Sequence, residues 1–266
     1  MSEIDRLREI AAEAEAADGV PPVDEGTWRR LRIHHDFAGV TLVDGGFALV
    51  TDGHADVVVA PSRRGEGIGR TLASGLDPAV REAWSHADHP AAAHLAADLG
   101  WRRERELWVM RRSASDLPAV PASELTVQSF SPEWTDELLR VNAAAFAHHP
   151  EQGAMDADDL AGRMAEPWYA AEDLLIASEG DRLLGFHWTK VHSADLGEVY
   201  VVGIDPDAQG RGLGKLLTVA GLHHLAGRGV SEILLYVESD NAPAIAVYSG
   251  LGFTHAATDT HVMYRR

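Results

Sequence analysis

The sequence predicts an α+β protein made of two similar domains, each a mostly antiparallel central sheet flanked by helices. Three observations predict this fold class. Short β-branched runs alternate with amphipathic helical runs along the chain. A glycine-rich loop follows an apolar strand twice, once near residue 65 and once near residue 210. A second pair of matching segments follows the two loops in the same order.

Two pairs of segments carry this internal repeat. VVVAPSRRGEGIGRTL, residues 57–72, matches the segment 145 residues later, so that Gly67 falls on Gly212. DHPAAAHLAADLGW, residues 88–101, matches DNAPAIAVYSGLGF, residues 240–253, at an offset of 152 residues. Because both pairs keep the same order, the sequence predicts a tandem duplication.

The small, Pro-bearing segment SASDLPAVPA, residues 113–122, is typical of a linker. It divides the chain into an N-terminal domain, residues 1–112, and a C-terminal domain, residues 123–266. In the N-terminal domain two helices precede a meander with Asp-Gly turns. The predicted meander strands are Val40–Val43, Gly46–Thr51 and Asp56–Ala60.

The C-terminal domain carries the fuller copy of the repeat. Its predicted elements are a strand over Leu125–Phe130, helices over Pro132–Phe146 and Ala157–Ala165, strands over Leu174–Ser178, Leu183–Val191 and Gly197–Ile204, a helix over Leu213–Gly227, a strand over Ile233–Glu238, a helix over Ala242–Gly250 and a strand over His261–Tyr264.

Composition narrows the possible partners of this 266-residue chain. A formal net charge of −18 disfavours nonspecific attraction to nucleic acid or anionic lipid. The sequence has no cysteine, no apolar run long enough to span a membrane and no visible signal peptide. We therefore expect a cytoplasmic monomer without nucleic-acid or membrane partners.

The segment Gly197–Leu217 has the pattern of a phosphate-binding site. An apolar strand ends at Asp205-Pro206, and a glycine-rich loop then leads into a helix near Leu213. Small residues let backbone N–H groups approach a ligand, and the helix N-terminus adds partial positive charge. A P-loop is excluded because Leu216, not Ser or Thr, follows Lys215. A dinucleotide-binding fold is disfavoured because the repeats are not βαβ units.

The downstream residues make the pattern more specific. Gln209-x-x-Gly212-x-Gly214, Asn241, Tyr248 and Leu251-Gly252-Phe253 together resemble the GCN5-related N-acetyltransferase superfamily. Over nearly its whole length the chain is similar to one tandem family within it, the mycothiol synthases of actinobacteria. The segments that carry this closer match are Phe146–Gly153, Gly185–His192, Gly197–Pro206 and Leu234–Asn241.

The resemblance implies acetyl-CoA as cosubstrate, with no metal. It implies that the acetyl group of acetyl-CoA is transferred to the cysteinyl amine of desacetylmycothiol, a cysteine–glucosamine–inositol thiol, with release of CoA, in the last step of mycothiol biosynthesis. The implied acetyl-CoA contacts of the C-terminal domain are Val202, Gly203, Ile204, Gln209, Gly210, Arg211, Gly212, Leu213, Gly214, Lys215, Asn241, Ala242, Pro243, Ala244, Ile245 and Ala246. Arg211 and Lys215 are equally consistent with solvated surface cations.

The resemblance also assigns catalytic roles. Glu198 is expected to act as general base through a water, and Tyr248 as the acid that protonates the leaving thiolate. Without the resemblance, Glu198 is an ordinary strand-end carboxylate and Tyr248 a packed helix aromatic. The residues expected to bind the sugar–inositol–cysteine substrate are Glu25, Glu151, Lys190, Glu198 and Tyr236.

The N-terminal repeat keeps the loop but not the chemistry. Its expected acetyl-CoA contacts are Val57, Val58, Val59, Arg64, Gly65, Glu66, Gly67, Ile68 and Gly69. At the two offsets Tyr248 falls on Ala96, Asn241 on His89 and Glu198 on Gly53. We expect this domain to bind acetyl-CoA, or part of it, without catalysis.

Three other interpretations remain for the chain as a whole. These are a tandem acetyltransferase that acts on an aminosugar antibiotic, a tandem acetyltransferase that acts on a protein N-terminal amine, and a non-catalytic acyl-CoA-binding module. The 14 histidines show no metal-ligand spacing, so we interpret them as structural or surface residues, with His148, His149, His187 and His192 close to the expected pocket.

Overall fold

A computed structural model describes residues 2–34, 39–51, 53–148 and 152–266 of the protein. The chain forms two compact units. Unit 1 comprises Met1–Trp108 with Ala256–Arg266, and unit 2 comprises Val109–His255. Each unit combines a sheet with helices, which confirms the predicted α+β class.

The helices are α1 (Glu3–Asp18), α2 (Glu25–His34), α3 (Ile68–Ser74), α4 (Pro90–Asp98), α5 (Thr135–Ala145), α6 (Ala157–Met164), α7 (Leu213–Gly227) and α8 (Ala242–Gly250). The strands are β1 (Val40–Val43), β2 (Gly46–Thr51), β3 (His54–Val59), β4 (Glu82–Ser85), β5 (Arg102–Ser113), β6 (Thr126–Ser129), β7 (Leu174–Glu179), β8 (Arg182–Val191), β9 (Leu196–Ile204), β10 (Glu232–Glu238) and β11 (Thr254–Arg265).

The first helix illustrates how local sequence sets the ends of an element. Ser2 accepts a hydrogen bond from the Asp5 N–H, and the Asp5 carboxylate accepts one from the Ser2 N–H in return. This capping box satisfies two of the free donors at the start of α1. Leu7 and Ile10 lie on its buried face, and the helix ends at Gly19, whose φ of 76° is left-handed.

The sheet of unit 1 has the strand order β1-β2-β3-β4-β11-β5. Strands β1, β2 and β3 form the predicted antiparallel meander, with Val40 opposite Leu49 and Phe47 opposite Val58. Strand β4 runs parallel to β3, and β11 runs antiparallel to β4. Helices α1 and α2 contribute side chains to the core cluster on β2 and β3.

Part of the last strand of each repeat lies in the other compact unit. Residues 256–265 of β11 belong to unit 1, where Val262–Arg265 pair with β4 and Val262 lies opposite Ser85. Val109–Ser113 of β5 lies beside β10 in unit 2, where Arg111 and Glu232 form an ion pair at 2.7 Å. The compact units therefore differ from the division 1–112, 113–122 and 123–266, which follows the sequence repeat and stays a prediction about the duplicated segments.

The sheet of unit 2 has the order β5-β10-β9-β8-β7-β6, antiparallel from β6 to β9, with β10 parallel to β9. One face packs on α5 and α6 around Leu138, Leu160 and Trp188. The other face meets α7 through Leu213, Leu216 and Leu217. The core thus holds β9 and α7, the two elements that flank the glycine-rich loop, in fixed positions.

His187 is a buried polar contact between β8 and α7. Its Nδ1 lies 2.8 Å from the Leu217 carbonyl oxygen, and the side chain has no exposed surface. Burial lowers the pKa of His187 to about 4, so the ring is neutral and donates to the carbonyl. A Cβ at position 221 would lie 2.0 Å from this nitrogen, so only glycine fits there. His187 is structural, as expected.

No helix in the described part of the chain is both long and apolar enough to span a bilayer.

Candidate active site

Strands β9 and β10 separate partway along their length. Their parallel pairs run from Leu196–Glu232 to Val199–Leu235, whereas β9 continues to Ile204 and β10 to Glu238. On its other edge β9 stays paired with β8 as far as Ile204. The edge of Val202–Ile204 that faces β10 therefore has backbone groups available for an extended amide ligand. These are the residues predicted to contact acetyl-CoA.

A β-bulge lies at the point of separation. Trp188 pairs with Val201 and Thr189 with Val199, so Tyr200 is the extra residue in β9. A bulge bends its strand and increases the local twist. The Tyr200 ring is held edge to face against Trp168 and Trp188, with ring centroids 5.2 Å and 5.7 Å away. Packing thus fixes the bulge where the strands diverge.

The glycine-rich loop fits a pyrophosphate group. Gly210 and Gly212 have φ values of 78° and 76°, which side-chain-bearing residues rarely adopt. A Cβ at either position would meet no atom within 4 Å, so the space before the helix is open. Gly212 caps the 15-residue helix α7, whose first N–H groups lack intrahelical partners. The donors and the helix dipole therefore suit an anion at this end.

The two cations of the loop are in different situations. The Arg211 guanidinium is paired with Glu179 at 3.0 Å, and both side chains are largely exposed. Lys215 is exposed in the first turn of α7. A phosphate contact by Arg211 therefore requires exchange of Glu179 for the ligand, whereas the backbone donors are already in place.

Asn241 sets the start of α8. Its Oδ1 accepts a hydrogen bond from the Ala244 N–H at 3.2 Å. Pro243 occupies the first turn, where its missing N–H has no consequence. The capping interaction explains why Asn suits this position, and the predicted acetyl-CoA contacts Asn241–Ala246 form this first turn.

Tyr248 lies on α8, half-buried, with its ring 6.0 Å from that of Phe253 in an edge-to-face arrangement. Burial raises the pKa of the Tyr248 phenol above its ordinary value of 10. The group therefore keeps its proton at neutral pH, which a general acid requires.

Glu198 is a buried carboxylate near the start of β9. Its side chain is 7% exposed, and its Oε2 lies 2.6 Å from His192 Nε2. Lys190 is its direct partner on the neighbouring strand. Cross-strand partners project to the same face of a sheet, so carboxylate and ammonium share one face. Sequence reasoning missed the contact with His192, although the six-residue separation across a hairpin could have indicated it.

Lys190 is held by aromatic rings. Its Nζ lies 4.6 Å from the Trp168 ring centroid and 5.5 Å from that of Tyr200, and the residue is buried. Desolvated cation–π contacts of this kind are worth about 2 kcal/mol. They fix the position of a positive charge beside Glu198.

The other predicted substrate residues belong to other elements of the chain. Tyr236 lies on β10 and is 40% exposed. Glu25 begins α2 in unit 1 and is half-buried. Glu151 and the neighbouring His149 lie outside the described residues.

A cavity of about 590 Å³ opens in unit 1 around the N-terminal copy of the loop. It is lined by eight of the nine residues predicted to contact acetyl-CoA in this domain: Val57, Val58, Val59, Arg64, Gly65, Gly67, Ile68 and Gly69. The ninth, Glu66, pairs with Arg63 at 2.9 Å. Strands β3 and β4 diverge here after the pair Asp56–Trp84, as β9 and β10 do in unit 2.

The loop cation of the N-terminal copy is paired with a carboxylate, as Arg211 is in unit 2. Arg64 makes two hydrogen bonds of 2.7 Å to the Asp18 carboxylate, so a phosphate contact would require that carboxylate to be displaced. His89 caps α4 by accepting the Ala91 N–H, as Asn241 caps α8, but Ala96 stands where the second repeat has Tyr248. The loop geometry is kept without the acid.

Among the described residues, no group of three or more His, Cys, Asp or Glu side chains is arranged to hold a metal ion.

The diverging strands, the bulge and the glycine-rich loop define an acetyltransferase fold. The family model described as the acetyltransferase (GNAT) family matches residues 124–253. A tandem GNAT protein from the clavulanic acid biosynthesis pathway superposes with a TM-score of 0.68 at 19% identity, covering 99% of this chain and 95% of that chain. A GCN5-related N-acetyltransferase from Sphaerobacter thermophilus gives a TM-score of 0.66 at 22% identity, covering 99% and 91%.

Similarity to curated proteins narrows the class further. A mycothiol acetyltransferase from a Nocardioides species is 59% identical, with 98% of this chain and 96% of that protein covered. Those of Actinosynnema mirum and Mycobacteroides abscessus are 47% and 45% identical, each covering 96% of this chain and 93% of the relative. The chain belongs to the mycothiol acetyltransferase family, and is an acetyl-CoA-dependent acetyltransferase.

Proposed function

We propose that this enzyme transfers the acetyl group of acetyl-CoA to the cysteinyl amine of desacetylmycothiol, the last step of mycothiol biosynthesis. Membership of the mycothiol acetyltransferase family supports this choice of substrate. The observation that carries the chemistry is the buried Glu198 carboxylate, which lies one residue before the point where β9 leaves β10. A base at this position is close to the strand edge that suits the acyl donor.

Glu198 and Tyr248 have separate roles, the removal of a proton and the donation of a proton. Acetyl-CoA, when bound, supplies the thioester whose acetyl group is transferred. Glu198 accepts, through a water, the proton that the substrate ammonium must lose before it attacks. Tyr248, whose phenol stays protonated at neutral pH, gives a proton to the leaving sulfur. The amine needs little help, since α-amino groups titrate near pH 8.

Substrate binding is assigned to the polar residues that the family resemblance implies. We propose that Lys190 and Tyr236 bind the polyhydroxyl part of the substrate, together with Glu151 and Glu25. The aromatic contacts of Lys190 support its part because they place its ammonium before the ligand arrives.

The acetyl-CoA contacts are proposed for the strand edge Val202–Ile204, the loop Gln209–Lys215 and the first turn of α8, residues 241–246. The open space before Gly210 and Gly212 supports the loop assignment. We further propose that the chain acts as a monomer in the cytoplasm without nucleic-acid or membrane partners, in keeping with its net charge of −18. Light scattering after gel filtration tests the oligomeric state.

The decisive test is acetylation of synthetic desacetylmycothiol by the purified enzyme, followed by mass spectrometry. The expected product carries one acetyl group that resists neutral hydroxylamine, as an amide does and a thioester does not. An aminosugar antibiotic and a peptide with a free N-terminus serve as competing acceptors. Preference for either one, or binding of acetyl-CoA without transfer, would favour the rival functions and contradict this one.

The cavity of unit 1 supports a second proposal, that the N-terminal domain binds acetyl-CoA without catalysis. Eight predicted contacts line a cavity of about 590 Å³, but Asp18 occupies the Arg64 guanidinium that a phosphate would use. Calorimetric titration with CoA, with Gly67→Val as the variant that blocks this loop, counts the sites. A stoichiometry of one for both proteins would rule out binding in unit 1.

A further inference from the structure

His192 is the one side chain shown in contact with the Glu198 carboxylate in the described part of unit 2. Its Nε2 lies 2.6 Å from Glu198 Oε2, which is a short, charge-assisted hydrogen bond. The His192 side chain is 32% exposed, whereas that of Glu198 is 7% exposed. The imidazole is thus the part of the pair that solvent reaches.

The backbone fixes where the imidazole stands. His192 directly follows β8, and its N–H donates to the Leu196 carbonyl oxygen at 2.9 Å. Ser193 closes the same turn, since its hydroxyl accepts the Leu196 N–H at 3.2 Å. The turn that joins β8 to β9 therefore sets the distance between His192 and Glu198 before any substrate binds.

The chemistry of the pair determines the proton arrangement. An ionised carboxylate only accepts hydrogen bonds, so the imidazole must carry its proton on Nε2 and donate it to Oε2. This leaves Oε1 of Glu198 for the water or amine of the substrate.

We propose that His192 is the positioning residue of the catalytic base: it holds Oε2 of Glu198 so that Oε1 faces the substrate amine. This role rests on the proposed function, in which Glu198 is the base. No bond to His192 is made or broken during acetyl transfer. Its effect is on the orientation of its neighbour.

Two substitutions distinguish the loss of the His192 N–H donor from the loss of side-chain volume. His192→Gln retains an N–H donor at about the same reach, and His192→Ala removes it. We expect His192→Ala to lower kcat/KM for the amine by about 10- to 100-fold, because a misplaced catalytic group loses activity on this scale. The KM for acetyl-CoA should be unchanged. His192→Gln should remain within about threefold of the wild type on the same scale.

The separation of kcat from KM gives a readout that packing alone would not move. A misoriented Glu198 should lower kcat in His192→Ala while the KM for acetyl-CoA stays in place. Both constants should stay in place in His192→Gln. His223→Gln is the matched control, since His223 is an exposed histidine of α7 that hydrogen bonds the Pro118 carbonyl. This variant should behave as the wild type.

A spectroscopic measurement tests the pair without catalysis. Imidazole ¹⁵N shifts of His192 in the full-length enzyme should show the Nε2–H tautomer, and Glu198→Gln should change them. A proton on Nδ1 in the neutral ring, or equal activity of His192→Ala and wild type, would overturn the proposal. So would a His192→Gln variant as impaired as His192→Ala. An inactive wild type would instead contradict the proposed function, while the tautomer would still report on the contact.

Discussion

Tyr248 and Phe253 meet edge to face, with ring centroids 6.0 Å apart, across the turn that ends α8. The Phe253 N–H donates to the Tyr248 carbonyl oxygen at 3.0 Å, so backbone and rings hold the same pair together. This arrangement fixes the phenol independently of its own hydroxyl group. Removing that hydroxyl group should therefore affect chemistry and leave packing intact.

Tyr248→Phe should lower kcat by about 10²- to 10⁴-fold, the usual contribution of a general acid. The melting temperature should change by less than about 2 °C, because the ring contacts remain. Steady-state kinetics and differential scanning fluorimetry check both expectations. An unchanged kcat would show that the thiolate obtains its proton from another donor.

Glu198→Gln should impair the enzyme most at low pH. The variant cannot accept the proton of the ammonium, so kcat/KM at pH 7 should fall by about 10²- to 10⁴-fold. An α-amino group with a pKa near 8 loses its own proton as the pH rises, so the deficit should narrow toward pH 9. Rate profiles from pH 6 to 9 for both proteins measure this. A deficit that is constant across the range would mean that Glu198 binds substrate and is not the base.

Gly221→Ala should destabilise unit 2. The new Cβ would lie 2.0 Å from His187 Nδ1, so the buried imidazole or α7 must move, at a cost of about 1–3 kcal/mol. Gly227→Ala is the matched control on the same helix, because a Cβ there meets no atom within 4 Å. That variant should be unchanged or more stable by up to about 1 kcal/mol. Urea denaturation of the two variants compares them directly.

Asp205 makes the free energy of unfolding depend on pH in the acidic range. Burial disfavours its charge, but hydrogen bonds from Arg140, from the Asp207 N–H and from Arg182 outweigh burial and lower the Asp205 pKa. The stabilisation is therefore complete above the unfolded pKa of about 3.9 and is lost as pH falls through the lower folded value.

Asp205→Asn should accordingly be less stable than the wild type at pH 7, by about 1–2 kcal/mol, since it removes hydrogen bonds between a buried carboxylate and two arginines that stay partly exposed to solvent. The difference should shrink as the pH falls from about 4 toward 2. Thermal melts across this range measure it, with Asp207→Asn as the exposed control. A difference that persists at pH 2 would indicate lost packing instead of lost charge.

The repeated loops were predictable because their geometry depends on residue type. Gly67 and Gly212 both cap helices with φ near 80°, which few other residue types adopt. Both copies therefore have glycine at this position, and the duplication can be recognised in the sequence. The predicted meander strands of the N-terminal half were confirmed for the same reason, since Asp-Gly turns separate them.

Other features depend on the register between neighbouring strands and could not be predicted from a short segment of the sequence. The bulge at Tyr200 and the pairing of Lys190 with Glu198 follow from how β8 aligns with β9, which no short segment specifies. The contact of His192 with Glu198 follows from the same hairpin. The roles of Glu198 and Tyr248 came from family resemblance, and remain predictions. The last strand was predicted at His261–Tyr264, but its pairing with β4 in unit 1 was not, because a repeat predicts segments and not their pairing partners.

The placement of β11 has a consequence for the order of folding. Unit 1 needs Val262–Arg265 to pair with the edge of β4, and the ribosome makes these residues after all of unit 2. Although its other strands are made first, the N-terminal half cannot finish its sheet during synthesis. The edge of β4 stays unpaired until β11 has been made, so unit 2 should be the first part of the nascent chain to reach its final form.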